Sequence, residues 1–508
     1  MSILLGIDAG TTSVKAGLFS PDGSCLGVAR REYQLATPAA DRAELDPEIY
    51  WRSCIDVVRE VLRQSGVTSD QVKALAVSSQ GETLITVDGE GQVIYPAIVW
   101  LDNRAVEQAE LLKSRFQQDV YSRTGIPEVV ATWPACKLLW LQQHEPDVFS
   151  HAGKYLLVQD YLIYHLTGRF VTDGSISCTT MYYDIRANAW WAEMLAAIGV
   201  RQDQLPEIVL PGSKIGTLSE EAAQLLGLTG GTSVVSGGMD QAVGAIGAGN
   251  YKPGVISETT GAALAIQATI TNPDLDACML VPVYLHSVPG MYLFVPVCPT
   301  AGMAFKWLRD TFAQTEMAQA WNGNSDAYEL LTDLAAQVPP GSDGLVMLPH
   351  LMGAFSPEPN LAARGSFTGF TLSHTRAHFV RALLEGVAFL LKQNLEMIKL
   401  TGIKITEIRS TGGGARSSLW NQIKADVCNL PVITMESEET GLLGDAILAG
   451  VASGVFPSIQ VGCDSMLKLK ENYQPGEMVG AYLKPYKLFC ELDRVLAEYY
   501  RKAYSDKP

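Results

Sequence analysis

The first residues that could perform chemistry are a carboxylate and a glycine–threonine turn near the N-terminus. Asp8 ends an apolar run and is followed by Gly10, Thr11, Thr12 and Lys15. Backbone N–H groups, two hydroxyls and an ammonium are donors that suit a phosphate, and a carboxylate at a strand end can face a metal ion. An ordinary hairpin with a polar turn explains these residues equally well. The turn lacks the spacing of a Walker loop, so it is a candidate phosphate site of another kind.

A second carboxylate, Asp240, follows Gly237 and Gly238 and precedes an apolar run with helical spacing. Such a group could accept the proton of a substrate hydroxyl. The alternative is that Asp240 caps the helix that follows, and the local sequence alone favours the cap.

Glycine turns recur in the second half of the chain. Thr260, Gly261 and Ala262 separate two short strand-like segments, as the first turn does, and form a candidate second phosphate loop. Residues 412–415 follow a strand and precede a helix, where a flat ring could approach the backbone. An ordinary turn and close packing of helix on strand are the alternatives.

An aromatic ring and charged groups that could hold a sugar stand together at Trp100, Asp102 and Arg104, and Glu82 is a similar candidate. A ring packs on C–H groups, while charged groups bind hydroxyls. The alternative is an Asp–Arg pair that caps the next helix.

The elements that must position these residues alternate in type. Strands are predicted at 3–8, 14–19, 26–35 and 72–78, and a helix begins after Asp46 and ends at Gly66. The second half repeats a strand, a turn and a strand at 254–269, and residues 377–400 form an amphipathic helix. The pattern predicts α/β layers, with a boundary in the glycine-rich stretch 244–254.

Composition excludes several classes of protein. The chain has 508 residues, 47% of them apolar, and a net charge of −16. It therefore lacks the excess of basic residues that is typical of a protein that binds nucleic acid or anionic lipid. Nine scattered cysteines without a C-x-x-C pair predict reduced thiols. The N-terminus lacks the pattern of a signal peptide, so we expect a soluble, cytoplasmic protein.

Taken together, these residues resemble the FGGY family of carbohydrate kinases, which includes glycerol kinase and xylulokinase. The resemblance covers nearly the whole chain, from Gly6 to about Gly454, in the order of the family's motifs. Single motifs of this kind are weak, whereas six in order are very specific. The matching segments are residues 6–13, 99–104, 238–241, 301–310, 365–370 with 378–385, and 412–416.

The resemblance implies an α/β fold of two ribonuclease-H-like domains, of the actin and hexokinase type, with a cleft between them. Residues 1–248 would carry the sugar side and the first phosphate motif, and residues 249–508 would bind ATP. It also implies roles for single residues. Asp240 would be the catalytic base, and Asp8 would hold Mg²⁺. The implied ATP contacts are Gly10, Thr11, Thr12, Lys15, Thr260, Gly261, Gly302, Gly413, Gly414 and Ala415, and the implied sugar contacts are Glu82, Trp100, Asp102, Arg104, Asp240 and Gln241.

The substrate is where the sequence departs from known subgroups. Glycerol kinases carry Arg-Glu at the position of Gly81 and Glu82, and xylulokinases carry Gln-Met-His where this chain has Gln80, Gly81 and Glu82. We expect a small sugar, with a ketopentose such as xylulose first and a polyol as the alternative. A nucleotide-dependent switch of the actin type and a non-catalytic sugar sensor are the competing hypotheses. Nucleic acid and membranes are not expected partners, and a homodimer is an open alternative.

Overall fold

The structure, a computed structural model, describes residues 2–273, 275, 281–323 and 325–504. They divide into two units, each assembled from separate stretches of the chain. The first unit consists of Met1–Tyr251, Thr269–Leu293 and Glu439–Lys468, and the second of Lys252–Ala268, Phe294–Glu438 and Leu469–Pro508, as far as these are described. The division of function at residue 248 stays a prediction.

Strands and helices alternate along most of the chain. The strands are β1 (Ile3–Ala9), β2 (Ser13–Phe19), β3 (Cys25–Glu32), β4 (Glu44–Leu45), β5 (Val72–Ser79), β6 (Leu84–Val87), β7 (Val93–Ile98), β8 (Lys154–Leu156), β9 (Val171–Asp173), β10 (Tyr183–Asp184), β11 (Ala189–Trp190), β12 (Glu207–Val209), β13 (Lys214–Thr217), β14 (Ser233–Met239), β15 (Val255–Thr260), β16 (Leu264–Ile270), β17 (Val283–Leu285), β18 (Tyr292–Phe294), β19 (Val297–Cys298), β20 (Val346–Leu348), β21 (Ser366–Thr368), β22 (Glu407–Thr411), β23 (Val432–Met435) and β24 (Leu469–Tyr473). The helices are α1 (Glu48–Ser65), α2 (Val106–Thr124), α3 (Pro134–His144), α4 (Pro146–His151), α5 (Val158–Thr167), α6 (Gly174–Ser177), α7 (Ala192–Ala197), α8 (Glu220–Leu226), α9 (Asp240–Gly247), α10 (Gly302–Phe312), α11 (Gln314–Asn322), α12 (Ala327–Ala336), α13 (Arg376–Leu400), α14 (Ser418–Cys428), α15 (Thr440–Ala452), α16 (Ile459–Met466) and α17 (Leu483–Tyr504).

The first unit is built on a six-stranded sheet with the strand order β13-β14-β5-β1-β2-β3. Strands β1, β2 and β3 form an antiparallel meander, while β5 and β14 run parallel to β1. The predicted first helix begins one residue later than expected, at Glu48, and its first N–H donates to Asp46 Oδ1. Gly66 ends it in the left-handed region at φ 68°.

The side chains of β1 alternate between two apolar cores. Ile3, Leu5 and Ile7 pack with residues of α1 and α5 on one face of the sheet. Leu4 faces the other way and packs with α9 and α15. This alternation follows from the two-residue period of a strand, and it makes the first unit a three-layer α/β/α structure.

Helix α15 belongs to the first unit although it lies late in the chain. It packs so closely on β1 that a Cβ at Gly6 would lie 2.3 Å from the Leu442 carbonyl oxygen. Leu442, Leu443 and Ile447 are buried there. Full burial of such a side chain contributes about 2 kcal/mol, so this helix is a large part of the second core.

The second unit repeats the central arrangement of the first. Strands β15 and β16 form an antiparallel hairpin, and β22 runs parallel to β15 on its other side. Strand β23 continues the parallel part and β24 closes the edge in antiparallel register. The turn of each hairpin, at residues 10–12 and 261–263, is the segment that the sequence predicts to bind phosphate.

Within the described residues, no helix has both the length and the apolar character needed to cross a membrane. The described cysteines form no disulfide bond with one another. Cys278 lies outside the described residues.

Candidate active site

Asp8 lies near the end of β1, paired with Lys15 across the hairpin and with Ser78 on β5. Its Oδ1 atom is buried and has no hydrogen-bond partner among the described residues. Burial raises the pKa of Asp8 to about 6, the charge of Lys15 opposes this shift, and Glu439 adds to it. A buried carboxylate oxygen without a donor is a group that a cation could satisfy.

The predicted first phosphate turn follows Asp8. The N–H of Gly10 donates to the carbonyl of Ser13 at 3.0 Å, which closes the turn. The hydroxyl of Thr11 accepts a hydrogen bond from the indole N–H of Trp100 at 2.8 Å. Thr12 is exposed. Lys15 forms a 2.6 Å ion pair with Glu439, so its ammonium is held beside the turn.

Asp240 is the first residue of α9, directly after β14. Met239 stands at the N-cap position, and Asp240 Oδ1 accepts the N–H of Gln241. Burial raises the pKa of Asp240 to about 7, and the charges of Asp8 and Glu82 add to this shift. Two carboxylates that are far from Asp240 in the sequence therefore act on it within the first unit.

Gly237 and Gly238 allow β14 to reach this point. A Cβ on Gly237 would lie 2.4 Å from Asp445 Oδ1, and one on Gly238 would lie 2.4 Å from Ser287 Oγ. Gly238 also has φ 116°, a conformation that side chains disfavour. Beside Asp240, Gln241 has a buried Oε1 without a partner among the described residues, which leaves an acceptor for a ligand.

We expect the unfolding free energy of the ligand-free protein to fall as pH rises from about 5 to 8. Asp8 and Asp240 have folded pKa values of about 6 and about 7, above the ordinary value of 3.8. Such groups stabilise the fold fully below their unfolded pKa, and that contribution is lost as pH rises through the folded pKa. The variant Asp240→Asn cannot ionise. Relative to wild type it should gain about 2 kcal/mol between pH 5 and 8 in denaturant titrations. If the unfolding free energies of Asp240→Asn and wild type differ by the same amount at pH 5 and at pH 8, the raised pKa of Asp240 is contradicted.

Glu82 lies in the turn between β5 and β6 with φ 57°, in the left-handed region. Its N–H donates to Thr179 Oγ1 at 3.3 Å, and its carbonyl accepts the ammonium of Lys137 at 2.8 Å. Burial raises the pKa of Glu82, and the charge of Lys137 opposes that shift. The sequence predicts Glu82 as a sugar contact but gives no role to Lys137.

Trp100 is 37% exposed, so a face of its ring is open to a ligand. Its backbone N–H donates to Thr83 Oγ1 at 3.2 Å, and its indole N–H donates to Thr11 Oγ1. The ring is thereby tied to both the phosphate turn and the turn of Glu82.

Asp102 and Arg104, two predicted sugar contacts, have internal partners. Asp102 is fully buried and accepts the N–H of Ala43 and the guanidinium of Arg104. Arg104 also pairs with Glu44 at 2.6 Å and lies 4.9 Å above the ring of Trp140. The Asp–Arg pair exists, as the alternative interpretation expected, but it holds the segment that carries Trp100. The contact of Asp102 and Arg104 with the sugar stays a prediction. Both side chains are buried, so neither offers an exposed polar atom that would support it.

The second unit contains a cavity of about 820 Å³. Five of the predicted ATP contacts line it: Thr260, Gly261, Gly302, Gly413 and Gly414. Ala415, the remaining predicted ATP contact of the second unit, lies in the same short helical turn as Gly413 and Gly414, Gly413–Arg416, and its carbonyl accepts the side-chain amide of Asn421. Tyr328 and Trp420 add aromatic surface to the lining.

The turns that border this cavity touch through glycines. The N–H of Gly302 donates to the carbonyl of Gly261 at 2.9 Å, and a Cβ on Gly302 would lie 2.2 Å from that oxygen. A Cβ on Gly414 would lie 2.5 Å from the Thr260 side chain. Larger residues would force these turns apart, so the glycines set the shape of the cavity.

A buried polar network lies behind the Thr260 turn of the cavity, and no sequence pattern indicated it. Lys424 and Glu258 are both fully buried and form a 2.6 Å ion pair. The hydroxyl of Thr260 donates to Glu258 Oε2 and accepts the Lys424 ammonium at 2.9 Å. Because the Thr260 hydroxyl is engaged inside, the Thr260 turn can offer a phosphate its backbone groups rather than this hydroxyl.

Comparison with known proteins is consistent with this arrangement. The sequence model of the N-terminal domain of the FGGY family of carbohydrate kinases matches residues 3–247, and that of its C-terminal domain matches residues 256–453. A gluconokinase of Bacillus subtilis (strain 168) is 31% identical over 98% of this chain and 97% of its own. A xylulose kinase of the same organism is 29% identical over 94% of this chain and 93% of its own.

Solved structures agree with the sequence relatives. The ligand-bound xylulose kinase from Lactobacillus acidophilus superposes with a TM-score of 0.87 at 28% identity, covering 99% of this chain and 100% of that one. The predicted fold class, α/β with two domains of the actin and hexokinase type, is confirmed. The chain therefore belongs to the FGGY family of carbohydrate kinases, enzymes that use ATP to phosphorylate small-molecule sugars.

Proposed function

We propose that this kinase transfers the γ-phosphoryl group of ATP to a hydroxyl of a neutral ketopentose such as xylulose, with Asp240 as the catalytic base. The observation that carries the proposal is the buried position of Asp240 within the field of Asp8 and Glu82, which raises its pKa to about 7. A base whose pKa lies near the operating pH is partly ionised and still binds a proton well. Asp240 would take the proton of the attacking hydroxyl as the bond to phosphorus forms.

Asp8 is the residue that we propose to hold Mg²⁺. Its buried, unpartnered Oδ1 fits this ion, which proteins usually bind through one or two carboxylates together with waters and phosphate oxygens. When bound, the ion would neutralise charge on the phosphate oxygens. The ion pair with Glu439 keeps Lys15 close to this carboxylate.

The remaining phosphate contacts are assigned by the same reasoning. Gly10, Thr11, Thr12 and Lys15 would contact the transferring phosphoryl group through N–H, hydroxyl and ammonium donors. The bond from Trp100 to Thr11 Oγ1 fixes one of these hydroxyls as an acceptor and leaves its own proton free to donate.

We assign the nucleotide to the 820 Å³ cavity of the second unit. Thr260, Gly261 and Gly302 would contact its phosphates through backbone groups, because glycine lets the chain approach a phosphate closely. Gly413, Gly414 and Ala415 would border the adenosine. The cavity volume lies within the range of small-molecule and cofactor sites.

The charge of the sugar site supports a neutral substrate. Asp8, Glu82 and Asp240 carry carboxylates, and the cations that act on them are Lys15 and Lys137. Lys15 is paired with Glu439, and Lys137 is buried against backbone carbonyls. A sugar acid would place its carboxylate in this negative field, where the described residues offer no free cation to pair with it. Glu82, Trp100, Asp240 and Gln241 are the proposed sugar contacts.

Gluconate is the second candidate, favoured by the 31% identity to a gluconokinase over 98% of this chain. A polyol such as glycerol is a third, because Asp240 and Gln241 occur together as in glycerol kinases. The candidates differ in charge and length, so a comparison of turnover separates them.

A sugar panel tests the proposal. Coupled assays of ADP release would measure kcat/KM for D-xylulose, D-ribulose, D-gluconate, glycerol and erythritol at fixed ATP and Mg²⁺. We expect a ketopentose to give the highest value and gluconate a value at least about tenfold lower, the discrimination that one unpaired charge produces. A preference for gluconate would overturn the neutral-substrate proposal and would leave the kinase assignment unchanged.

A further inference from the structure

We propose that Lys137 is a positioning residue for the sugar. It fixes the main chain at Glu82 and Val99, and through them the Glu82 carboxylate and the Trp100 ring. The inference deepens the proposed function, because it rests on the assignment of Glu82 and Trp100 as sugar contacts.

Lys137 lies on α3 and is fully buried. Its ammonium donates to the carbonyl of Glu82 at 2.8 Å, to that of Val99 at 3.0 Å and to that of Ile98 at 3.5 Å. A lysine ammonium has three N–H donors, so all of them are used on the backbone. One side chain thus joins Glu82 and Val99, which lie 17 positions apart in the sequence.

The Glu82 segment needs such support because its backbone is strained. Glu82 has φ 57°, a region that residues other than glycine avoid and that persists only where the surroundings enforce it. Thr179 accepts the Glu82 N–H at 3.3 Å, and a Cβ on neighbouring Gly81 would lie 2.9 Å from the Thr179 side chain. Thr179 therefore binds this turn through the Glu82 N–H, and Lys137 binds it through the Glu82 carbonyl.

The second segment leads directly to the aromatic ring. Val99 precedes Trp100, whose N–H donates to Thr83 Oγ1 at 3.2 Å. Thr83 follows Glu82, so Lys137 and Thr83 both join the two segments, beside the pairing of Leu84 with Ile98 between β6 and β7. Loss of the Lys137 bonds would free the carbonyls of Glu82 and Val99, which this strand pairing does not hold.

The charge of Lys137 adds to its geometric role. Burial lowers the pKa of Lys137, and the charges of Glu82 and Asp102 oppose that shift. The ammonium in turn favours the ionised form of Glu82. Neutral hydrogen-bond donors could hold the carbonyls but would not supply this charge.

The variant Lys137→Met tests the proposal, because methionine fills a similar volume without N–H donors. We expect its KM for the preferred sugar to rise at least about tenfold, while its KM for ATP stays within about twofold of wild type. The matched control is Lys154→Met. Lys154 lies in the same unit and donates to the carbonyls of Asp203 and Leu205, but it has no contact with the proposed site. It should leave both KM values unchanged.

A double-mutant cycle tests whether Lys137 acts through Glu82. The variant Glu82→Gln should raise the sugar KM by itself. If Lys137 acts through Glu82, the double variant should resemble Lys137→Met within about threefold in kcat/KM for the sugar, because coupled residues are not additive. The proposal would be overturned if the loss of kcat/KM in the double variant equalled the product of the losses in the two single variants. So would a Lys137→Met protein that melts at a lower temperature with an unchanged sugar KM.

Lys137→Gln provides a milder variant if Lys137→Met does not fold. Its amide keeps two N–H donors but loses the third donor and the charge, and we expect the sugar KM to rise about threefold with the ATP KM unchanged. An unchanged sugar KM would overturn the proposal. All variants are assayed with whichever sugar the wild type phosphorylates best. Failure of the ketopentose assignment is therefore visible in the wild type alone, separately from the role of Lys137.

Discussion

Replacement of Asp240 by asparagine is expected to lower kcat about 10³-fold while ADP still binds. The amide has the size of the carboxylate but cannot accept a proton, and a general base contributes about 10²–10⁴ to the rate. The proposed ADP contacts lie in the second unit, whereas Asp240 and the proposed contacts of the transferring phosphoryl group lie in the first, so the ADP site keeps its residues. Coupled assays with the preferred sugar give kcat, and calorimetric titration with ADP gives the binding constant.

The matched control for Asp240→Asn is Asp160→Asn. Asp160 is a second buried carboxyl of the first unit, and burial raises its pKa to about 8. Its Oδ2 accepts the N–H of Leu157 at the start of α5. We expect this control to change stability but not kcat. An Asp240→Asn enzyme within tenfold of wild type, or a control that loses as much activity, would show that Asp240 is not the base.

The second large effect is expected from Lys424→Met, which should lower the unfolding free energy by about 3–5 kcal/mol. The substitution leaves the Glu258 side chain fully buried without its cation, and removal of one partner of a buried pair has this magnitude. The hydroxyls of Thr260 and Ser410 also lose a donor. Denaturant titration measures the change, and ADP affinity should fall because Thr260 borders the nucleotide cavity.

Two further variants separate burial from charge. Lys502→Met breaks an ion pair of the same 2.6 Å length in the same unit, but that pair is largely exposed, so its loss should be too small to measure. The double variant Glu258→Gln/Lys424→Met removes both buried charges and should recover most of the lost stability. A double variant as unstable as Lys424→Met would contradict the argument that an unpaired charge causes the loss.

The sequence predicted the places where strands give way to turns, because these depend on local patterns. Asp8 and Asp240 were found as carboxylates beside glycines at the ends of apolar runs. Asp8 lies near the end of β1 and Asp240 directly follows β14, and β5 separates these two strands in the sheet. Their proximity is set by the parallel pairing of β1, β5 and β14, which no local window contains. The two carboxyl groups could therefore be identified from sequence, but the effect of Asp8 on the pKa of Asp240 could not.

Buried lysines escaped prediction for a different reason. A lysine in a helix is usually a surface residue, and only tertiary packing distinguishes Lys137 and Lys424 from exposed ones. A signal was present at Lys137, since Cys136, Leu138, Leu139 and Trp140 surround it with apolar residues on every side of the helix. Asp102 and Arg104 show the opposite case, because their residue types suggested a ligand while the structure shows partners for both within the fold.

The late helix α15 has a consequence for anyone who wishes to divide the protein. A recombinant fragment that stops at residue 248 would lack this helix and leave the apolar surface of Leu4, Phe19, Ala74 and Ala76 bare. Such a fragment should aggregate, because an exposed apolar patch of this kind associates with other apolar surfaces. Isolation of the first unit would require residues 439–468 to be supplied as a separate peptide or joined by a redesigned linker.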